Sequence, residues 1–383
     1  MSDFCLKIIN QTEINSELKN IGFDESYIGI ASNKYKYVNI KVFQLSIPQA
    51  NILKQTALSV GADCAVNKDV LTNKVKFSDC ILGGSFSQIK QIINKLKAQP
   101  FSMSILAEKI ENIIDSKKYK LSKVVGILNV TDNSFSDGGL YNDFESAVKH
   151  LNELIEDGAD IIDIGAESTK PYSEPVSPKE QLEKIEPLLK YINEHNIKNP
   201  ISIDTRSSEV ARKVCEYGVS IINDVSGFDY DENMPKVIAE SGVKVIIQHS
   251  QGTPENMQNN PQYKNVIDDI YLNLVKKVKM AQELGVEKEN IIIDVGIGFG
   301  KIKEQNFELI KRIDEFKSIG CEVMLGISRK SFLDMENASN EEKDIYTLAL
   351  NTLAIERHVD YIRVHNVKMH KKLIEIIKNF KDI

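Results

Sequence analysis

The stretch ISIDTRSSEVARKVCEYGVSIINDV, residues 201 to 225, reads as one complete strand, helix and strand. ISIDT (201–205) and SIINDV (220–225) are runs of strongly β-forming residues. SSEVARKVCEYG (207–218) between them has helical apolar spacing and closes on a glycine. The apolar runs are nearly continuous rather than alternating, which marks strands covered on both faces, as in a parallel sheet wrapped by helices.

The same plan recurs from residue 121 to the end. The strand candidates are VVGILNV (124–130), DIIDIG (160–165), ISIDT, SIINDV, VKVIIQH (243–249), IIIDVG (291–296), CEVMLGIS (321–328) and DYIRVHN (360–366). ESAVKHLNELIEDG (145–158) and VKKVKMAQELG (275–285) repeat the helical signature. Eight such units match a (β/α)8 TIM barrel in number and length; a doubly wound open sheet is the alternative, since strand count alone does not prove closure.

Residues 1–117 differ. FDESYIGI, YVNIKVFQLSI and CILGG read as short strands, and IPQANILKQTALSVG and SQIKQIINKLKAQ as amphipathic helices. The expectation is a small N-terminal α/β domain over 1–117 and a barrel over 118–383, joined through the lysine-rich DSKKYKLSK (115–123). Nothing catalytic stands out in the first of these, which suits a docking or oligomerising module.

Composition excludes several classes. With 383 residues, 42% apolar and 27% charged, the chain has ample material for a core. Its net charge of −7, without long blocks of like charge, argues against nucleic acid as a partner. Charged residues interrupt every apolar segment, so no membrane span is expected. Cys5, Cys64, Cys80, Cys215 and Cys321 are odd in number and scattered, which argues against a disulfide framework or structural zinc and suits a reducing cytoplasm.

Barrels carry their chemistry at the C-terminal ends of the strands. Here those ends are polar every time: Asn129, Asp163, Asp204, Asn223, His249, Asp294, Ser328-Arg329-Lys330, and Arg363 with His365. Any one of them could cap a helix or turn a corner. Together they suggest inward positions converging on one pocket. Arg363 and His365 share a strand face and suit a multiply charged oxyanion, with Asn129 available for a hard metal ion or its water. Asp204, Asn223, Asp294 and Lys330 offer donors and acceptors for a flat heterocycle bearing amino, ring N–H and carbonyl groups. GIGFGK (296–301) lacks the dinucleotide spacing and reads as a close backbone approach to a ligand, with Phe299 walling the pocket and a plain turn as the alternative.

Residues 121–383 resemble the dihydropteroate synthases. GILNVTDNSFSDGG (126–139) looks like the first signature of that family and DIIDIGAESTKP its second, while IDTRS, NDVSG, QGTPENMQ, DVGIGFGK, GISRKSF and IRVHNV match the later strand ends in order. The resemblance implies an enzyme of folate biosynthesis. It would be a transferase condensing 6-hydroxymethyl-7,8-dihydropterin pyrophosphate with p-aminobenzoate to give 7,8-dihydropteroate and pyrophosphate. It implies that Asp204, Asn223, Asp294 and Lys330 hold the pterin, and that Asn129 serves Mg2+ and pyrophosphate with Arg363 and His365 on the phosphates. Thr169, Lys170, Pro171, Phe299 and Ser331 would frame p-aminobenzoate. It also implies a homodimer.

Three departures stand out. Asp132 replaces the family's proline and Asn133 its carboxylate in the first loop, Lys170 and Tyr172 replace an arginine and a glycine in the second, and Ser250 replaces a common methionine. A methyltetrahydrofolate–corrinoid methyltransferase would need neither the first loop nor the Arg363 and His365 pair. A non-catalytic pterin-binding protein remains the other alternative.

Overall fold

The structure is a computed structural model describing residues 5–115, 120–130, 140–167, 175–252, 261–333 and 338–381. The chain divides into two compact units, Met1–Lys117 and Lys118–Ile383.

In the first unit, α1 (Ile14–Asn20) and α2 (Ile28–Ala31) precede β1 (Tyr37–Ser46), α3 (Ile47–Leu58), β2 (Asp63–Val66), β3 (Phe77–Ser85), α4 (Phe86–Leu96) and α5 (Met103–Asp115). The strands form an antiparallel sheet in the order β1-β3-β2. Leu53, Ile89, Ile92, Ile93, Met103 and Ile110 from the three longer helices bury against Cys64, Cys80 and Leu82 of the sheet. Ser85 starts α4 with a reciprocal cap, its hydroxyl accepting from Gln88 N while Gln88 Oε1 accepts from Ser85 N.

One expected strand is absent: FDESYIGI forms a 3-10 turn (Glu25–Tyr27) running into α2. Asp24 caps the turn by accepting from Ser26 N at 3.0 Å, and Ile28 buries with Ile14 and Leu18 in a small cluster. A local cap and one buried isoleucine outweigh the β-propensity of the run. β2 and α5 were not anticipated.

In the second unit eight parallel strands close into a barrel: β4 (Lys123–Asn129), β5 (Ile161–Gly165), β6 (Ile201–Asp204), β7 (Ile221–Asp224), β8 (Lys244–Gln248), β9 (Ile291–Asp294), β10 (Glu322–Leu325) and β11 (Tyr361–Val364). Pairing of β11 with β4 completes the ring, which removes the open-sheet alternative. The helices are α6 (Leu140–Glu156), α7 (Pro178–Glu194), α8 (Ser208–Cys215), α9 (Met234–Ser241), α10 (Val266–Glu283), α11 (Lys303–Lys311), α12 (Asn340–Glu356) and α13 (Val367–Lys381).

Alternation within each strand positions the site. Ile162, Ile222, Ile293 and Ile362 face outward into the large core shared with the helices. Their inward neighbours Val125, Ile161, Ile221, Ile246, Ile292, Met324 and Tyr361 plug the barrel axis with an apolar layer. Two residues further along, the inward positions become Asp163, Asn223, Gln248, Asp294 and Arg363, so a polar layer lies directly on an apolar floor.

Candidate active site at the strand ends

Arg363 stands at the centre of the polar layer. Its Nε donates to Asp163 Oδ2 at 2.6 Å and its Nη2 to Asp204 Oδ2 at 2.9 Å. Asn223 Nδ2 donates to the same Asp163 oxygen at 3.1 Å. Asp163 is fully buried, and its Oδ1 and the Oδ1 of Asn223 have no partner among the described residues. Buried acceptors without donors are costly unless something else supplies them. Burial pushes the Asp204 carboxyl up to about 7 in spite of Arg363 beside it.

The second cluster gathers around Asp294. This carboxylate accepts from Gly296 N at 2.7 Å through Oδ1, and burial raises its pKa while the Lys330 charge pulls it back. Burial brings Lys330 down to about 8, with Asp294 opposing the shift. The Lys330 ammonium donates to the Ile297 carbonyl and lies 4.6 Å from the Phe299 ring centroid. A Cβ added at Gly326 would sit 3.9 Å from Asp294 Oδ2, Lys330 Nζ and Arg363 Cβ. A glycine therefore leaves the space among these three groups bare.

Lys330 owes its direction to its neighbour. Arg329 has φ 57°, a left-handed backbone uncommon for any residue with a Cβ, and its guanidinium forks onto both Asp344 oxygens at 2.8 Å. Asp344 on α12 also accepts from Asn366 Nδ2, so the loop after β10 is tied to two helices' ends. Ser328 Oγ lies 2.8 Å from His365 Nδ1 and accepts from His365 N. Burial, with Arg329 and Arg363 close by, lowers His365 to about 3, so its imidazole is neutral. The expected anion role of His365 is therefore that of a hydrogen-bond donor; it brings no second positive charge to Arg363.

Asn129 ends β4 with its side chain exposed, on the strand paired with Gly165 of β5. Ser331 is exposed at the start of a 3-10 turn. Thr169, Lys170 and Pro171, with Asp132, Asn133 and Tyr172, lie outside the described residues. The strand-end reading gave Asp163 no role beyond its place in the row, and the structure makes it the partner of both Arg363 and Asn223. The available signal was its inward position, two residues after Ile161.

The glycine loop corrects one expectation. Gly296 (φ 67°) would place a Cβ 1.9 Å from His249 O, and Gly300 (φ 65°) one 2.4 Å from Gln251 O. The close approach these glycines permit is to the chain's own backbone after β8, because the loop folds back against the neighbouring strand's exit.

These residues match known proteins. A family model described as Pterin binding enzyme matches residues 125–365. A dihydropteroate synthase of Clostridium beijerinckii is 41% identical over 259 residues, covering 66% of this chain and 93% of that protein. A bifunctional dihydropteroate synthase/dihydropteroate reductase of Helicobacter pylori is 30% identical over 380 residues, covering 98% and 99%. A probable bifunctional folylpolyglutamate synthase/dihydropteroate synthase of Haloferax volcanii is 31% identical over 358 residues, covering 87% of this chain, which spans 42% of that longer protein. Among solved structures, a Clostridium difficile dihydropteroate synthase crystallised in the presence of pteroic acid is 37% identical with a TM-score of 0.63, covering 68% of this chain and 98% of that one. The chain belongs to the pterin binding enzymes, in the dihydropteroate synthase family.

Proposed function

We propose that the barrel mouth joins 6-hydroxymethyl-7,8-dihydropterin pyrophosphate to p-aminobenzoate, giving 7,8-dihydropteroate and pyrophosphate, a transferase step of folate biosynthesis. The observation that carries this reading is the polar layer itself, with Asp294, Lys330 and Arg363 around bare space at Gly326 and Arg363 held between two carboxylates. Asp204, Asn223 and Asp294 accept from the pterin's amino and ring N–H edge, and Lys330 donates to its carbonyl side. Phe299 and Ser331, with Thr169, Lys170 and Pro171, frame p-aminobenzoate.

Arg363, the imidazole N–H of His365 and Asn129 receive the pyrophosphate. The C–O bond to pyrophosphate breaks, the arylamine nitrogen bonds to the pterin's exocyclic carbon, and the amine proton leaves to solvent. A neutral arylamine needs no strong base, in keeping with the lack of a nucleophile dyad among the described polar groups. Among the described residues no three His, Cys, Asp or Glu side chains converge as a metal cage. An exposed amide oxygen at Asn129 fits Mg2+, an ion that takes most of its ligands from phosphate and water. When bound, Mg2+ supplies charge neutralisation to the leaving pyrophosphate.

The test is pyrophosphate release from the pterin substrate with Mg2+, with and without p-aminobenzoate. Release that depends on p-aminobenzoate, with dihydropteroate formed, is the expected result; pterin binding without turnover would favour the non-catalytic alternative. The pH profile gives a second check. Pterin recognition needs Asp204 ionised and Lys330 protonated, so kcat/KM falls on the acid side near Asp204's value of about 7 and on the alkaline side near Lys330's value of about 8. A profile flat through the acid limb would remove the Asp204 carboxylate from this role.

A second reading follows from the full-length match. The Helicobacter pylori relative is named for a reductase as well as a synthase, and its similarity extends through residues 1–117. The first unit would then support reduction of dihydropteroate, in which a hydride and a proton add across a ring C=N. The hydride donor would be a dihydronicotinamide, directly or through a flavin. Dihydropteroate-dependent oxidation of NADH or NADPH, assayed with and without added flavin, is the expected result; none under any of these conditions removes the reading.

Pairing into a homodimer is supported by the exposed Ile345, Tyr346 and Leu353 of α12 and is checked by light scattering. The five free cysteines suit a reducing cytoplasm, and no helix among the described residues is long and apolar enough to cross a membrane.

A further inference from the structure

The glycine loop after β9 is fastened from two sides. From beneath, Lys301, only 2% exposed, donates from Nζ to the carbonyls of Gly296 at 2.8 Å and Phe299 at 2.9 Å, and lies 3.1 Å from His249 Nδ1. From the helix side, the fully buried Asn306 of α11 accepts from Gly298 N at 2.8 Å and donates to the Ile302 carbonyl at 3.0 Å. Burial, helped by the nearby Lys330 charge, lowers Lys301 well below the usual lysine range, and the same geometry serves a neutral amine. Nζ also reaches the His249 carbonyl at 3.4 Å, so its contacts run to the loop and to the exit of β8.

Between these fastenings the loop hands three groups to the pocket. Gly296 N–H orients Asp294, the Ile297 carbonyl receives Lys330, and the Phe299 ring lies beside the same ammonium. Arg363 and His365 are held elsewhere, by Asp163, Asp204 and Ser328.

We propose that Lys301 and Asn306 are positioning residues for the heterocycle half of the pocket alone: they hold the loop in the one arrangement that aligns Asp294, Lys330 and Phe299, and do nothing for the pyrophosphate half. The inference rests on the reading of the site given above. It follows because neither side chain reaches the anion groups, while both bond to the loop that carries the heterocycle groups.

The experiment measures binding of two probes by calorimetry: 6-hydroxymethyl-7,8-dihydropterin without phosphates, and inorganic pyrophosphate with Mg2+. In Lys301→Met and in Asn306→Ala the pterin Kd should rise on the order of ten-fold or more, while pyrophosphate changes by less than about two-fold. Lys301→Gln keeps two N–H donors for the loop carbonyls and should recover most of the pterin affinity. Unchanged pterin affinity, or equal loss of both probes in a variant with wild-type circular dichroism, would overturn the proposal. Should Lys301→Met fail to fold, Asn306→Ala carries the same comparison. A wild-type protein that binds neither probe removes the site reading and this inference together; wild-type binding with unaffected variants removes this inference alone.

Discussion

Replacing Arg363 with alanine should remove most synthase activity and lower the melting temperature further at about pH 8.5 than at about pH 5.5. The reason is the pair of carboxylates that Arg363 holds, one of them fully buried. Removing one partner of a buried ion pair costs about 3–5 kcal/mol, because the charge left behind is neither hydrated nor compensated. Here the protein has an escape, since Asp204 already titrates at about 7 against 3.8 in the open.

A carboxyl whose pKa is raised by folding contributes stability that is complete below the unfolded value and is lost as pH rises through the folded one. Without Arg363 the folded value moves higher still. The added destabilisation is then small where Asp204 is protonated in both proteins and deepens as pH climbs through and beyond 7. Thermal melts of wild type and variant across that range check this. A melting difference independent of pH would mean that Asp204 does not depend on Arg363 for its charge. Arg363→Lys should recover only part of the loss, because one ammonium cannot reproduce a planar fork spanning Asp163 and Asp204.

Asp294→Ala should lower kcat/KM for the pterin substrate by about two to four powers of ten, the equivalent of about 3–5 kcal/mol of lost recognition. Three things fail together. The pterin's donors lose their acceptor, Gly296 N–H is left unpaired, and Lys330 loses the charge that holds its pKa as high as about 8. The alkaline limb of the pH profile should therefore move to lower pH in whatever activity remains. Asp294→Asn separates these effects, since its amide oxygen can still accept from Gly296 while its NH2 meets the pterin's own donors. It should fold as wild type and bind pterin as poorly as the alanine variant. Pterin affinity within about two-fold of wild type in both variants would remove Asp294 from the site.

Much of this was legible in the chain of residues. Eight short Ile and Val runs separated by helix signatures specify a parallel sheet covered on both sides, because only that arrangement buries so many apolar residues on two faces. The polar strand ends were legible for the same reason: inward and outward positions alternate, so a polar residue two steps beyond an inward isoleucine, as Asp163 follows Ile161 and Asp294 follows Ile292, must enter the same lumen. FDESYIGI reads as a strand through the β-forming Tyr27, Ile28 and Ile30, whereas a cap at Asp24 and the cluster with Ile14 and Leu18 decide the matter.

The sequence by itself determined the alternating strands and helices of a helix-covered parallel sheet, the polar side chains at its strand ends and the family to which they belong, since periodicity and motif order are properties of the chain. Only the tertiary structure decided how those side chains share their charges. Arg363 lies 200 residues from Asp163 and 159 from Asp204, and nothing local brings them together. Ring closure sets that meeting, burial then sets the protonation of Asp204, Lys330 and His365, and the fold-back of one glycine loop against the exit of β8 sets the direction of Asp294. Each depends on solvent exclusion by parts of the chain far away in sequence, and desolvation has no signature in a linear string of residues.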